Sequence, residues 1–177
     1  AGFTLQAGDG DAGSAGSVRN LDNVAANGGV VHRAGRPFTV GSRALDATGA
    51  TMTGYDGTPT LAITACLLPA GCTAGALTSP AVSALAGVYS NAGVSYAEVG
   101  SIQLQLTDSS FGAIDAADTP LASRTVQSAT LAVGRFVPDN FSVAVSTGGL
   151  FATANGACMA AGQGATSIGQ GFTWATP

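Results

Sequence analysis

The chain contains no lysine, one glutamate (Glu98) and one histidine (His32), and only 9% of its residues are charged. Each scarcity removes a class of explanation. Without lysine there is no Lys–Asn isopeptide bond of the kind that stiffens many surface adhesins. Lys, Glu and Gln, which build amphipathic helices, are sparse, whereas 26 glycines among many alanines, serines and threonines favour turns and small-residue strands. Six arginines against ten acids leave a net charge of −4 with no basic cluster. A nucleic-acid footprint is therefore missing, and an anionic membrane surface has nothing to attract. No apolar run approaches the ~18 residues of a membrane helix. A Ser-His-Asp triad would have to be built on His32, and Gly-x-Ser-x-Gly does not occur. The sparse acids sit mostly beside glycine or alanine, a poor setting for the raised pKa that sugar hydrolysis needs. The expectation is a protein that is not an enzyme, with His32 on the surface or at a strand edge beside Arg33.

Metal chemistry is equally thin. One histidine and three scattered cysteines cannot fill a tetrahedral site. Calcium would need several hard oxygens on one loop, for which Asp9 with Asp11, or Asp115 and Asp118 with Asp108, are the candidates. Neither set matches the twelve-residue loop with its glutamate, so solvated acidic loops are the favoured reading and no cofactor is expected. Cys66 and Cys72 bracket Leu-Leu-Pro-Ala-Gly, in which Pro69-Ala70-Gly71 is a good turn former. The spacing fits no common zinc or redox motif. A local disulfide at a hairpin tip is favoured over two buried thiols in a reducing cytosol. Closing so short a loop contributes about 2 kcal/mol in the chain-entropy account. Cys158 is left over, with a partner expected beyond Pro177.

What is present reads as strand. Ser101–Thr107 is the clearest case, with Ile102, Leu104 and Leu106 alternating against Ser101, Gln103, Gln105 and Thr107. Leu61, Ile63 and Ala65 alternate likewise. Further strands are expected among Phe38, Val40 and Leu45, from Val82 to Tyr89 with a stop at Asn91-Ala92-Gly93, and over 123–127, 129–133 and 141–145. Seven to nine short strands at this spacing predict an all-β, immunoglobulin-like antiparallel sandwich with flexible or extended flanking segments. The expected boundaries are 1–29 for a linker or the end of a preceding module, 30–145 for the sandwich, and 146–177 for a linker and the start of a following module. Residues 7–17 read as a flexible acidic linker. Phe3-Thr4-Leu5 reads as the middle of a strand phrase, so Ala1 is expected to be internal to a precursor.

The run Gly134-Arg135-Phe136-Val137-Pro138-Asp139-Asn140-Phe141 has the look of a junction between modules. Pro138 has its φ fixed, and it pushes Val137 towards an extended conformation. Phe136 and Phe141 flank it as two aromatic anchors, and Arg135 and Asp139 are placed to pair across the bend. Tyr55, Tyr89 and Trp174 are candidate ligand-facing aromatics for stacking on sugars. Tyr96 is expected to tie one sheet to the other through its hydroxyl.

Three phrases together, His32-Arg33-Ala34-Gly35-Arg36-Pro37-Phe38, Tyr96-Ala97-Glu98-Val99-Gly100 and the junction run, resemble the extracellular region of the MshQ family, large bacterial proteins named for biogenesis of the mannose-sensitive haemagglutinin (MSHA) type IV pilus. Cys158 followed by Phe172-Thr173-Trp174 is similar too, and the resemblance spans about residues 30–177. Val137 and Asn140 stand where the family commonly has an aromatic and a histidine. The resemblance implies immunoglobulin-like modules, export, and a role in pilus assembly or surface adhesion, with no catalytic residue carried over. The expected function is thus a non-catalytic structural or adhesive module at the cell surface. Its expected partners are neighbouring β modules, pilus subunits, surface glycans or identical chains, with no nucleic acid and no membrane insertion. The alternatives are a carbohydrate-binding module and a self-assembling filament subunit that donates strands from residues 1–6 or 170–177.

Overall fold

A computed structural model describes residues 2–9, 19–25 and 29–143, and the chain divides into two compact units, Ala1–Asp139 and Asn140–Pro177. The first unit is an all-β sandwich. One sheet runs in the order β2 (Arg19–Asn20), β1 (Gly2–Asp9), β4 (Pro37–Leu45), β7 (Val88–Tyr96) and β6 (Leu77–Thr78). The other runs β3 (His32–Arg33), β10 (Leu131–Val137), β8 (Gly100–Asp108) and β5 (Thr60–Leu68), with β9 (Val126–Gln127) continuing alongside β8. Helix among the described residues amounts to a 3₁₀ turn at Phe111–Asp115 and one α-turn, α1, at Leu121–Arg124.

The strand period sets the core. Ile102, Leu104 and Leu106 of β8 are all fully buried, as their alternation predicts. Facing them from the first sheet are Phe38, Val40 and Ala44 of β4 with Tyr89, Val94 and Tyr96 of β7. Leu61, Val133 and Phe136 complete the opposite layer. In β5 the expected alternation holds from Thr60 to Ala65 and stops at Cys66, beyond which a second register shift against β8, between Cys66 and Leu68, follows the one between Ile63 and Ala65.

Several expectations need correction. Residues 2–9, expected in a linker or the end of a preceding module, form a strand paired along Gly2–Gly8 with β4. Residues 19–25 join it as well, and Leu21 is a fully buried core residue. Residues 10–17 of the expected linker lie outside the described residues. The strand expected over 82–89 is displaced to Val88–Tyr96 and passes through Asn91-Ala92-Gly93 without turning. Arg124 closes an α-turn where a strand was expected, and residues 141–143 are not strand. One strand pairing is parallel, Phe136 with His32 and Val137 with Arg33, so the second sheet is mixed at its edge, and the isolated bridge between Asp22 and Gly134 is parallel too.

Candidate junction site

Three sequence phrases meet at one end of the sandwich. Arg33 to Arg36 form a turn closed by the Arg36 amide donating to the Arg33 carbonyl at 3.2 Å, with Gly35 at φ +80°. That left-handed conformation is available to glycine at little cost. The two middle amides of the turn reach different sheets: Ala34 N–H donates to the Val137 carbonyl at the end of β10, and Gly35 N–H to the Tyr96 carbonyl at the end of β7 (2.8 and 2.7 Å). Beneath the turn, the buried His32 ring stands edge-on to Phe38 and Phe136, with centroids 5.8 and 6.0 Å away. Its Nε2–H donates to the Arg36 carbonyl at 3.1 Å. Phe136 also packs on Phe38 and Tyr96 at 5.5 and 5.0 Å. His32 therefore occupies an edge strand as expected, but its ring is interior, because four aromatic rings fill the mouth between the sheets. The Tyr96 ring, more than its hydroxyl, ties the layers together; the hydroxyl accepts from Gly75 N–H at 3.1 Å.

The chain leaves the first unit directly above this cluster. Asp139 is its last residue, and its carboxylate accepts from Arg36 Nε at 2.7 Å, with Arg33 Nη1 3.7 Å away. Arg33 Nη1 also donates to the Asp139 carbonyl at 2.6 Å. The expected Arg135–Asp139 pair gives way to this arrangement. β10 carries Arg135 to the other side, where its guanidinium donates to the Ala25 carbonyl at 2.5 Å. Nothing local in the sequence assigns Arg33 and Arg36 this role; their spacing across Ala34-Gly35 is the one signal it carries. Gly134 has φ +155°, and a Cβ there would meet Ser101 Oγ at 2.5 Å. The missing Cβ lets β10 lie close against Ser101 of β8, and the Gly134 backbone also holds residues 21–23: Gly134 N–H donates to the Leu21 carbonyl and Asn23 N–H to the Gly134 carbonyl (3.0 and 2.8 Å). Pro138 is exposed. Phe141 lies beyond the unit boundary and is 87% exposed, so of the two expected anchors only Phe136 is buried in the first unit.

Cys66 and Cys72 form a disulfide. The loop it closes lies at the same end as the exit, since Leu68 pairs with Ser101 and Gly100 with Phe136. Cys158 and Trp174 lie outside the described residues. The other two candidate ligand-facing aromatics are core: Tyr55 and Tyr89 are 4% and 2% exposed. Tyr55 O–H donates to Asp108 Oδ2 at 2.6 Å, and the Tyr89 hydroxyl oxygen accepts from Asn91 Nδ2–H at 3.1 Å. Burial, together with the neighbouring Asp108 carboxylate, pushes the Tyr55 pKa well up. Of the candidate calcium ligands, Asp108 is turned inward to Tyr55 and Ser110, and Asp115 accepts from Thr119 Oγ1. Among the described residues no three His, Cys, Asp or Glu side chains are grouped so as to hold a metal ion. Asp11 lies outside the described residues.

No described helix is long and apolar enough to cross a membrane. Neither a protein-family model, nor a curated protein, nor a solved structure matches the chain. The class defined by fold and site is an all-β, two-sheet sandwich, stapled by one local disulfide, whose C-terminal exit is gripped by two arginines.

Proposed function

We propose that residues 2–139 form a non-catalytic structural or adhesive module of an exported bacterial surface protein, of the type IV pilus-associated kind that the MshQ resemblance suggests. The observation that carries this reading is the grip of Arg33 and Arg36 on Asp139, the residue at which one compact unit ends and the next begins. The last residue of the first unit is thereby fixed by side chains of β3 and of the turn that follows it, an arrangement suited to a structural role. The Cys66–Cys72 bond supports placement in an oxidising compartment, where such bonds persist. The sugar-binding alternative loses Tyr55 and Tyr89 to the core, and strand donation from residues 1–6 competes with their pairing to β4.

Cell fractionation combined with a non-reducing peptide map tests the proposal. The intact protein is expected at the cell surface or in the medium with Cys66 bonded to Cys72. Recovery in the cytosol with both thiols open to alkylation would sink it.

A further inference from the structure

Of the four terminal strands in the two sheets, β2, β6 and β3 are two residues long, and β5 is nine. Short edge strands are a usual protection against unwanted pairing, as are charges placed on the edge. β5 has neither. Among the described residues it pairs with β8 alone. Moreover, residues 57–97, which include β5, β6 and β7, contain no Asp, Glu, Lys, Arg or His; all ten acids and all six arginines lie elsewhere. The register shifts after Ile63 leave Thr60–Ile63 as the straight part of the strand. Beside it opens a hollow of about 110 Å³, lined by Thr58, Thr60 and Leu61 on one wall and Ser79, Pro80 and Ala81 on the other.

We infer that β5 is a pairing edge for a second copy of this chain, joined antiparallel about a two-fold axis through Ala62. Charge permits this partner. Copies of net charge −4 repel one another in general, and the flank built from residues 57–97 is where two of them meet with no charge on either side. Facing positions in an antiparallel pair lie on the same side of a sheet, so a two-fold pairing must match exposed with exposed and buried with buried. Centring on Ala62 does so: the exposed Ala62 meets its own copy, and Leu61 meets Ile63 on the core side. The contact is isologous and closes as a dimer, in contrast to an open filament.

Sedimentation equilibrium of the 177-residue protein over a wide concentration range is the test, with hydrogen exchange as a second readout. The wild type is expected to dimerise reversibly, with β5 amides exchanging more slowly as concentration rises. Ala62→Lys or Ala62→Asp alone places like charges opposite each other and should weaken association about five-fold or more. An equimolar mixture of the two should regain it. Ala62 is exposed, so both variants are expected to keep the wild-type circular dichroism and melting profile, which is checked first. A wild type that stays monomeric with concentration-independent exchange at β5 overturns the inference. So do single variants that associate as the wild type does, or a mixture that associates no better than either alone.

Discussion

Asp108 keeps its charge at a position only 2% exposed to solvent. Burial pushes its pKa up, but hydrogen bonds from Tyr55 O–H, from the Ser110 hydroxyl and amide, and from the Phe111 amide outweigh this, and the carboxyl titrates below its ordinary value. These donors belong to different parts of the fold: Tyr55 precedes β5, whereas Ser110 and Phe111 open the 3₁₀ turn after β8. The carboxylate therefore fastens the start of the 109–125 excursion to the sandwich, and its worth depends on ionisation. A carboxyl with a depressed folded pKa contributes stability that is complete above its unfolded value, near 3.9, and is lost as pH falls through the lower folded value. Asp108→Asn should cost on the order of 1–3 kcal/mol at pH 7, since bonds to a charged acceptor are being weakened. In urea unfolding, that gap between wild type and variant should be constant from pH 7 to about 5 and shrink below pH 4. A gap that does not change with pH would mean the carboxylate's charge plays no part.

β7 shows why some elements escape a reading by pattern. Asn-Ala-Gly is turn chemistry, yet here it lies inside a nine-residue strand, at the register shift where Val40 faces Asn91 and Phe38 faces Val94. The shift is held by the Asn91 side chain, which is 1% exposed. Its Nδ2 is 2.8 Å from the Pro80 carbonyl and 3.1 Å from Tyr89 Oη, and its Oδ1 accepts from Gly93 N–H at 3.1 Å. A turn former has been used as a bulge former because tertiary partners satisfy it. Replacing Asn91 with Ala strands those groups in the interior and should lower stability by about 1–3 kcal/mol in thermal or denaturant unfolding. A loss below about 0.5 kcal/mol would show that the bulge is set by the backbone alone. Contrast β8, whose burial follows directly from its sequence because both neighbours leave its alternation undisturbed along one face. β1 and the 19–25 segment were not legible in this way: their places depend on pairing with β4 and on backbone hydrogen bonds to Gly134, contacts made by residues far along the chain. The junction site was legible in part. Its three phrases could be picked out one by one, but the closing of Arg33 and Arg36 over Asp139 spans more than a hundred residues, and no local pattern encodes it.

At the scale of the first unit, the aromatic cluster and the arginine grip divide the work at the exit. His32, Phe38, Tyr96 and Phe136 are buried and draw on both sheets, so they hold the mouth of the sandwich together. Arg36 and Asp139 are 41% and 33% exposed, and a pair that open to water adds between nothing and about 1 kcal/mol to global stability. The grip thus positions the exit more than it holds the fold. Arg36→Ala should accordingly leave the urea midpoint of the first unit nearly unchanged. The same substitution should speed hydrogen exchange at Ala34, whose amide bonds to the Val137 carbonyl, and open the segment after Val137 to limited proteolysis. Phe136→Ala should do the reverse in rank, costing about 3–5 kcal/mol because the ring contacts both layers. If Arg36→Ala instead lowers stability as much as Phe136→Ala does, the surface pair is part of the fold's support and the division between holding and directing fails.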